Sequence, residues 1–156
     1  STYFFSLFLK PLWIKEVLLD NLFNTKYQIF LDISYDSEDY NYNLVRDVKI
    51  FTELAKNDGD LVGISATKTG TSIFDNDFIQ NKWKFTPDYF PIPYIVYGNI
   101  DNVNWFSRNY EGQLLWFLEQ GHIGSAADYC LASYCDTKHN YTFLEIEKND
   151  NKNDNL

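Results

Sequence analysis

His122, Cys130, Cys135 and His139 put two imidazoles and two thiols into one short stretch of the chain. Imidazole nitrogen and thiolate sulfur are the ordinary ligands of tetrahedral zinc, so this is the first constellation to weigh. Its spacing does not favour a metal. Four residues separate the cysteines, three more precede His139, and with His122 set apart the order matches no familiar ligand hairpin. Cys130 reads instead as a small buried hydrophobe, with His122 at a helix end and His139 in a turn. Neither a metal nor any other cofactor is expected.

Covalent catalysis would need a nucleophile, a base and a group that orients the base. The two histidines are the only imidazoles available. Gly63-Ile64-Ser65-Ala66-Thr67 lacks the second glycine of a nucleophile elbow. Three carboxylate groupings, Asp36 with Glu38 and Asp39, Asp58 with Asp60, and Asp75 with Asp77, lack the loop spacing of a calcium-binding EF-hand. The 7 glycines do not cluster into a phosphate loop. No catalytic residue is assigned, and a non-enzymatic protein is expected.

Charge is more informative. The chain has 22 acidic against 13 basic residues, net -9, and the acidity lies in two blocks. Residues 32–60 carry -5 and residues 101–156 another -5, whereas 1–31 and 61–100 are near neutral. Nucleic-acid binding depends on Lys and Arg neutralising phosphates, so this balance disfavours it. A basic protein is the expected partner.

Within the first acidic block, Asp32, Tyr35, Asp36, Glu38, Asp39, Tyr40 and Tyr42 interleave carboxylates with tyrosines. Tyrosine is common at interface hot spots, and carboxylates around it would pair with Lys and Arg and speed encounter. Asp36, Glu38, Asp39, Tyr40 and Tyr42 are therefore the candidate partner-binding residues. The competing reading is a polar loop whose tyrosines pack back on the domain, its charges favouring the start of the following helix. The functional expectation is an inhibitor or immunity protein that neutralises a basic, nuclease-type toxin by occluding it. Two alternatives stand beside it. One is a small enzyme or ligand-binding domain with an aromatic pocket built from Trp83, Phe85, Trp105 and Trp116. The other is a structural subunit that pairs an apolar edge, residues 3–9, with a partner strand.

These residues need a scaffold, and the pattern of apolar positions outlines one. Residues 3–9 are short, aromatic and apolar, as in a buried strand, and Pro11 opens a helix over 11–23. A strand follows over 27–35. Leu44, Val48, Phe51 and Ala55 form the stripe of an amphipathic helix over 44–57, closed by Asn57-Asp58-Gly59. Residues 61–66 read as a strand, 73–86 are ambiguous, the prolines make 87–93 an irregular connection, and 94–97 form a strand. A helix over 111–120 stops at Gly121, 126–135 is either helix or edge strand, and 141–148 alternates as a half-exposed strand.

Together these predict an α+β single domain over 1–148, with a mostly antiparallel sheet and two or three helices packed on one face, followed by a polar tail over 149–156. At 156 residues with 45% hydrophobic content, the chain can build a core without disulfides. The apolar start has no basic region before it and is too short to span a bilayer. A small bacterial, cytoplasmic protein with no membrane partner is expected.

Overall fold

Val103, Phe106, Tyr110, Gln113 and Phe117 recur at alternating intervals of three and four, which places them in one line on a helix, and all five are buried. The helix they define is the backbone of the fold. The computed structural model describes residues 2–22, 24–31, 44–57, 61–68, 82, 89–136 and 141–145. In chain order the elements are α1 (Thr2–Asp20), β1 (Tyr27–Leu31), α2 (Leu44–Asn57), β2 (Val62–Lys68), β3 (Tyr89–Asn99), α3 (Ile100–Glu119), α4 (Ala126–Asp136) and β4 (Tyr141–Glu145).

The strands form one mixed sheet in the order β1-β3-β2-β4. β3 is antiparallel to both β1 and β2, while β4 joins β2 in parallel. The α+β class is thus as expected, and the parallel β2–β4 pair qualifies the antiparallel sheet. A helix is what a parallel return connection requires, and α4 supplies one immediately before β4.

Side chains alternate across β3, and this divides the interior in two. Val96 joins Val62, Ile64, Ile14, Leu18, Phe106, Phe117 and Leu131 in the larger core, beneath α1, α3 and α4. Its neighbours Ile95 and Tyr97 point the other way, to meet Phe51 of α2. Three of the described helices therefore cover one face, as the α+β reading expects, and α2 lies on the opposite one.

Two details fix the middle of the sheet. The Tyr97 ring lies over Gly63, its cross-strand neighbour, where any Cβ would overlap it. The register then shifts between Ile64 and Ala66, and the buried Ser65 hydroxyl accepts the Ile95 N–H at 3.0 Å. A side chain thereby satisfies a backbone donor at the bulge.

Several boundaries differ from the sequence reading. Residues 3–9 are not a strand: they are the first half of α1, which runs through Pro11 to Asp20. An apolar run carries no period that separates buried strand from buried helix, and α1 is apolar on nearly every side. Trp13, Val17 and Leu19 stay exposed while Ile14 and Leu18 are buried. The Ser107 hydroxyl, wholly buried on α3, donates to the Pro11 carbonyl at 2.7 Å and ties the two helices together.

The prolines of 87–93 do not interrupt β3, which starts at Tyr89. β1 pairs only with residues 95 to 99, so Pro91 and Pro93 lie where β3 has β2 on one side and no described strand on the other. There a missing N–H is tolerated. α3 begins at Ile100, well before the expected 111, because the Asn99 side chain caps it by accepting the Asn102 N–H at 2.8 Å. It ends where Gly121 takes a φ of +70°, the left-handed conformation expected of that glycine.

Candidate functional site

Asp36, Glu38, Asp39, Tyr40 and Tyr42 lie outside the described residues. The described structure fixes the two ends of their segment. One is Leu31, the last residue of the edge strand β1, and the other is Leu44, the first of α2. The acidic segment thus connects the sheet edge to the helix on the less covered face. Asp58, Asp60, Asp75, Asp77, Trp83, Phe85 and His139 also fall outside the described residues, as do the tail and most of 73–86.

The remaining members of the histidine and cysteine constellation are placed, and they diverge. Cys130 and Cys135 both belong to α4 and neither forms a disulfide. Five positions along a helix separate them by about 7.5 Å of rise and roughly 140° of rotation. That is too far for a disulfide and wrong for two ligands of one ion. His122 follows the end of α3. Its backbone N–H reaches the Phe117 carbonyl at 2.9 Å, and its ring lies 5.7 Å from that of Phe117. Among the described residues no three His, Cys, Asp or Glu side chains gather as metal ligands would.

Trp105 and Trp116, two members of the suggested aromatic pocket, share α3 but stand roughly 16 Å apart along it. Trp105 packs on Tyr141 with ring centres 5.6 Å apart. Trp116 packs on Phe117 and receives the Lys82 ammonium over its face at 3.6 Å. They line no common small cavity.

Of the polar groups that the described structure does bring together, the sequence singles out Cys130 alone, as a small buried residue. Tyr110, Tyr129, Cys130, Ser133 and Tyr141 are all buried where α3, α4 and β4 meet. The Tyr129 hydroxyl donates to the Gly124 carbonyl at 3.1 Å and accepts the Gly124 N–H at 3.0 Å. Ser133 and Tyr141 share a hydroxyl hydrogen bond of 2.5 Å. The rings of Tyr110 and Phe117 both meet the Tyr129 ring edge to face, at 5.5 and 5.1 Å.

Burial pushes the ionisation of Tyr110, Cys130 and Tyr141 far upward, and for Cys130 the nearby Asp128 carboxylate adds to it. At neutral pH these groups keep their protons. A buried, protonated thiol is not an attacking nucleophile. The cluster is therefore suited to packing, with the Tyr129, Ser133 and Tyr141 hydroxyls satisfied in place. Ser65, the centre of the elbow-like pentapeptide, is likewise engaged in the sheet bulge.

A sequence signal for α4 exists in Ser125-Ala126-Ala127-Asp128, a capping box. The Ser125 hydroxyl accepts the Asp128 N–H at 3.2 Å while the Asp128 carboxylate accepts the Ser125 N–H at 2.6 Å. This decides the helix-or-strand alternative for 126–135 in favour of helix.

No described helix is long and apolar enough to cross a membrane. In comparison with known proteins, no family model matches the chain and no curated protein is significantly similar to it.

Proposed function

We propose that this chain is an acidic, non-enzymatic binding module that occludes a basic protein, in the manner of an inhibitor or immunity protein directed at a nuclease-type toxin. The observation that carries the reading is the distribution of charge. A net -9 is concentrated in two blocks, and the first of them includes the tyrosine-rich segment 32–43. Nuclease domains are basic because they hold phosphates, so an acidic surface is the complement they present a need for. In this account Asp36, Glu38 and Asp39 steer the encounter, and Tyr40 and Tyr42 supply the contact area that slows dissociation. A segment strung between a strand end and a helix start can present such residues on a rigid support. The location best suited to the task is the cytoplasm of a bacterial cell, where a toxin's producer must protect itself.

The test compares the immobilised wild-type chain with a variant carrying Asp36→Asn, Glu38→Gln and Asp39→Asn. Cell extracts are passed over both, and retained proteins are identified by mass spectrometry and assayed for nuclease activity. The proposal expects a basic protein on the wild type, depleted on the variant, whose nuclease activity falls when the chain is added. Retention of the same proteins by both forms, or undiminished nuclease activity, would contradict it.

A further inference from the structure

α1 turns one side away from the rest of the fold. The Lys15 ammonium meets the Glu111 carboxylate of α3 at 3.5 Å, and together with the bond from Ser107 to the Pro11 carbonyl this marks the side that faces α3. Lys10, Trp13, Val17 and Asp20 follow one another at intervals of three, four and three, the spacing of a seam along which two helices pair. At about 100° per residue the centre of that seam lies roughly 180° round α1 from Lys15. Trp13 is 51% and Val17 58% exposed, Asp20 is exposed and Lys10 is half-buried. Apolar side chains at such a seam are what a second helix covers.

The seam is complementary to itself in reverse. Reading it backwards exchanges Lys10 with Asp20 and Trp13 with Val17, about a midpoint at position 15. We infer that α1 packs antiparallel against α1 of a second copy about a twofold axis at that midpoint, forming a homodimer. Lys10 of each copy then faces Asp20 of the other, and Trp13 of each faces Val17 of the other. Opposite charges thus flank a central group of apolar side chains, the arrangement that fixes orientation in paired helices. A parallel pairing would set Lys10 against Lys10 and Asp20 against Asp20, and like charges in contact are unfavourable. The seam's own charges cancel, so it gives a basic partner no electrostatic advantage, and the inference does not rest on the role proposed for segment 32–43. Glu16 is exposed about 80° round the helix from the centre of the seam, at the rim, where its charge is hydrated and screened. The paired stretch is only about 15 Å long, so the contact is smaller than a standard interface and the dimer is a weak one.

The experiment is the mass of the whole chain in solution, by sedimentation equilibrium up to about 500 μM, where a dimer of ~50 μM dissociation constant is mostly formed. At the top of that range the mass should approach twice that of the 18.4 kDa chain. Trp13→Ser and, as a second variant, Val17→Ser remove exposed apolar groups, so each should yield a monomer with an unchanged circular dichroism spectrum. Leu19→Ser, also exposed but about 140° round α1 from the seam, should leave the dimer intact. Lys10→Glu sets carboxylates opposite each other at both ends and should weaken the dimer about tenfold. Adding Asp20→Lys to that variant should restore it. A monomeric wild type overturns the inference, as does a dimer that is indifferent to the two serine variants or to Lys10→Glu, or that the second charge exchange fails to restore.

Discussion

Replacing Phe51 by alanine should cost roughly 4 kcal/mol, within the range of about 3 to 5 for truncating a buried phenylalanine. Phe51 is wholly buried and lies 4.8 Å from the Tyr97 ring, with Ile95 completing the buried part of the cluster. Tyr27, Ile29, Leu54 and Leu144 close around it. The upper half of the range is expected because the cavity cannot easily collapse. Tyr97 is seated over Gly63, and both Ile95 and Tyr97 belong to the interior strand β3. Against a total stability of about 5 to 15 kcal/mol the loss is large, and at ~2 to 4 °C per kcal/mol it lowers Tm by roughly 8 to 16 °C. Urea denaturation followed by circular dichroism would measure it, with Ile50→Ala as control. Ile50 sits on the same helix but is 39% exposed, and its truncation should cost less than about 1 kcal/mol. Equal, small losses for both variants would refute the placement of α2 over the second face.

Gly63→Ala should destabilise by about 1 to 3 kcal/mol, because the new methyl overlaps the Tyr97 ring; the penalty should shrink in a Tyr97→Leu background, and additive costs in a double-mutant cycle would argue against that contact. Ser125→Ala removes the hydroxyl of the α4 capping box and should cost about 1 kcal/mol in thermal unfolding, whereas Ser125→Asp should retain most of the cap. Alkaline pH should unfold the protein. Tyr110, Cys130 and Tyr141 are raised by burial, so the unfolded chain releases their protons near the ordinary values of about 8.5 for Cys and 10 for Tyr while the folded chain does not. Their contribution is complete below about pH 8 and falls above it, by up to ~1.4 kcal/mol per group per pH unit. A urea midpoint unchanged between pH 8 and 10.5 would show that these groups are accessible in the folded state.

The sequence was most readable where one apolar stripe faced a polar side. α2 is such a case: Leu44, Val48, Phe51 and Ala55 define it, and its bounds agree with expectation. α1 is hard to read for the opposite reason, since a segment apolar on nearly every side has no period to find and Pro11 resembles a helix start. The first half of α3 is left without an expectation, because Asn99, Asp101, Asn102 and Asn104 make its start polar, although Val103, Phe106 and Tyr110 already carry the helical stripe. Prolines in a strand usually mark its end or an irregular connection. Only the sheet order reveals that they occupy a stretch of β3 with one described neighbour. Cys130 and Cys135, whose spacing already speaks against a joint role, lie on different sides of α4, whereas the hydroxyls gathered around Cys130 come from three elements and leave no local pattern.

Whether the acidic segment 32–43 guides a basic partner is decided by the rate at which the captured protein associates, measured by stopped-flow fluorescence as salt is raised. Wild-type association should slow steeply with ionic strength. With Asp36, Glu38 and Asp39 neutralised it should start slower and depend on salt less, with dissociation and Tm nearly unchanged. Identical rates for the two forms at low salt, with a lower Tm for the variant, would contradict the account and assign those carboxylates to the start of α2 instead.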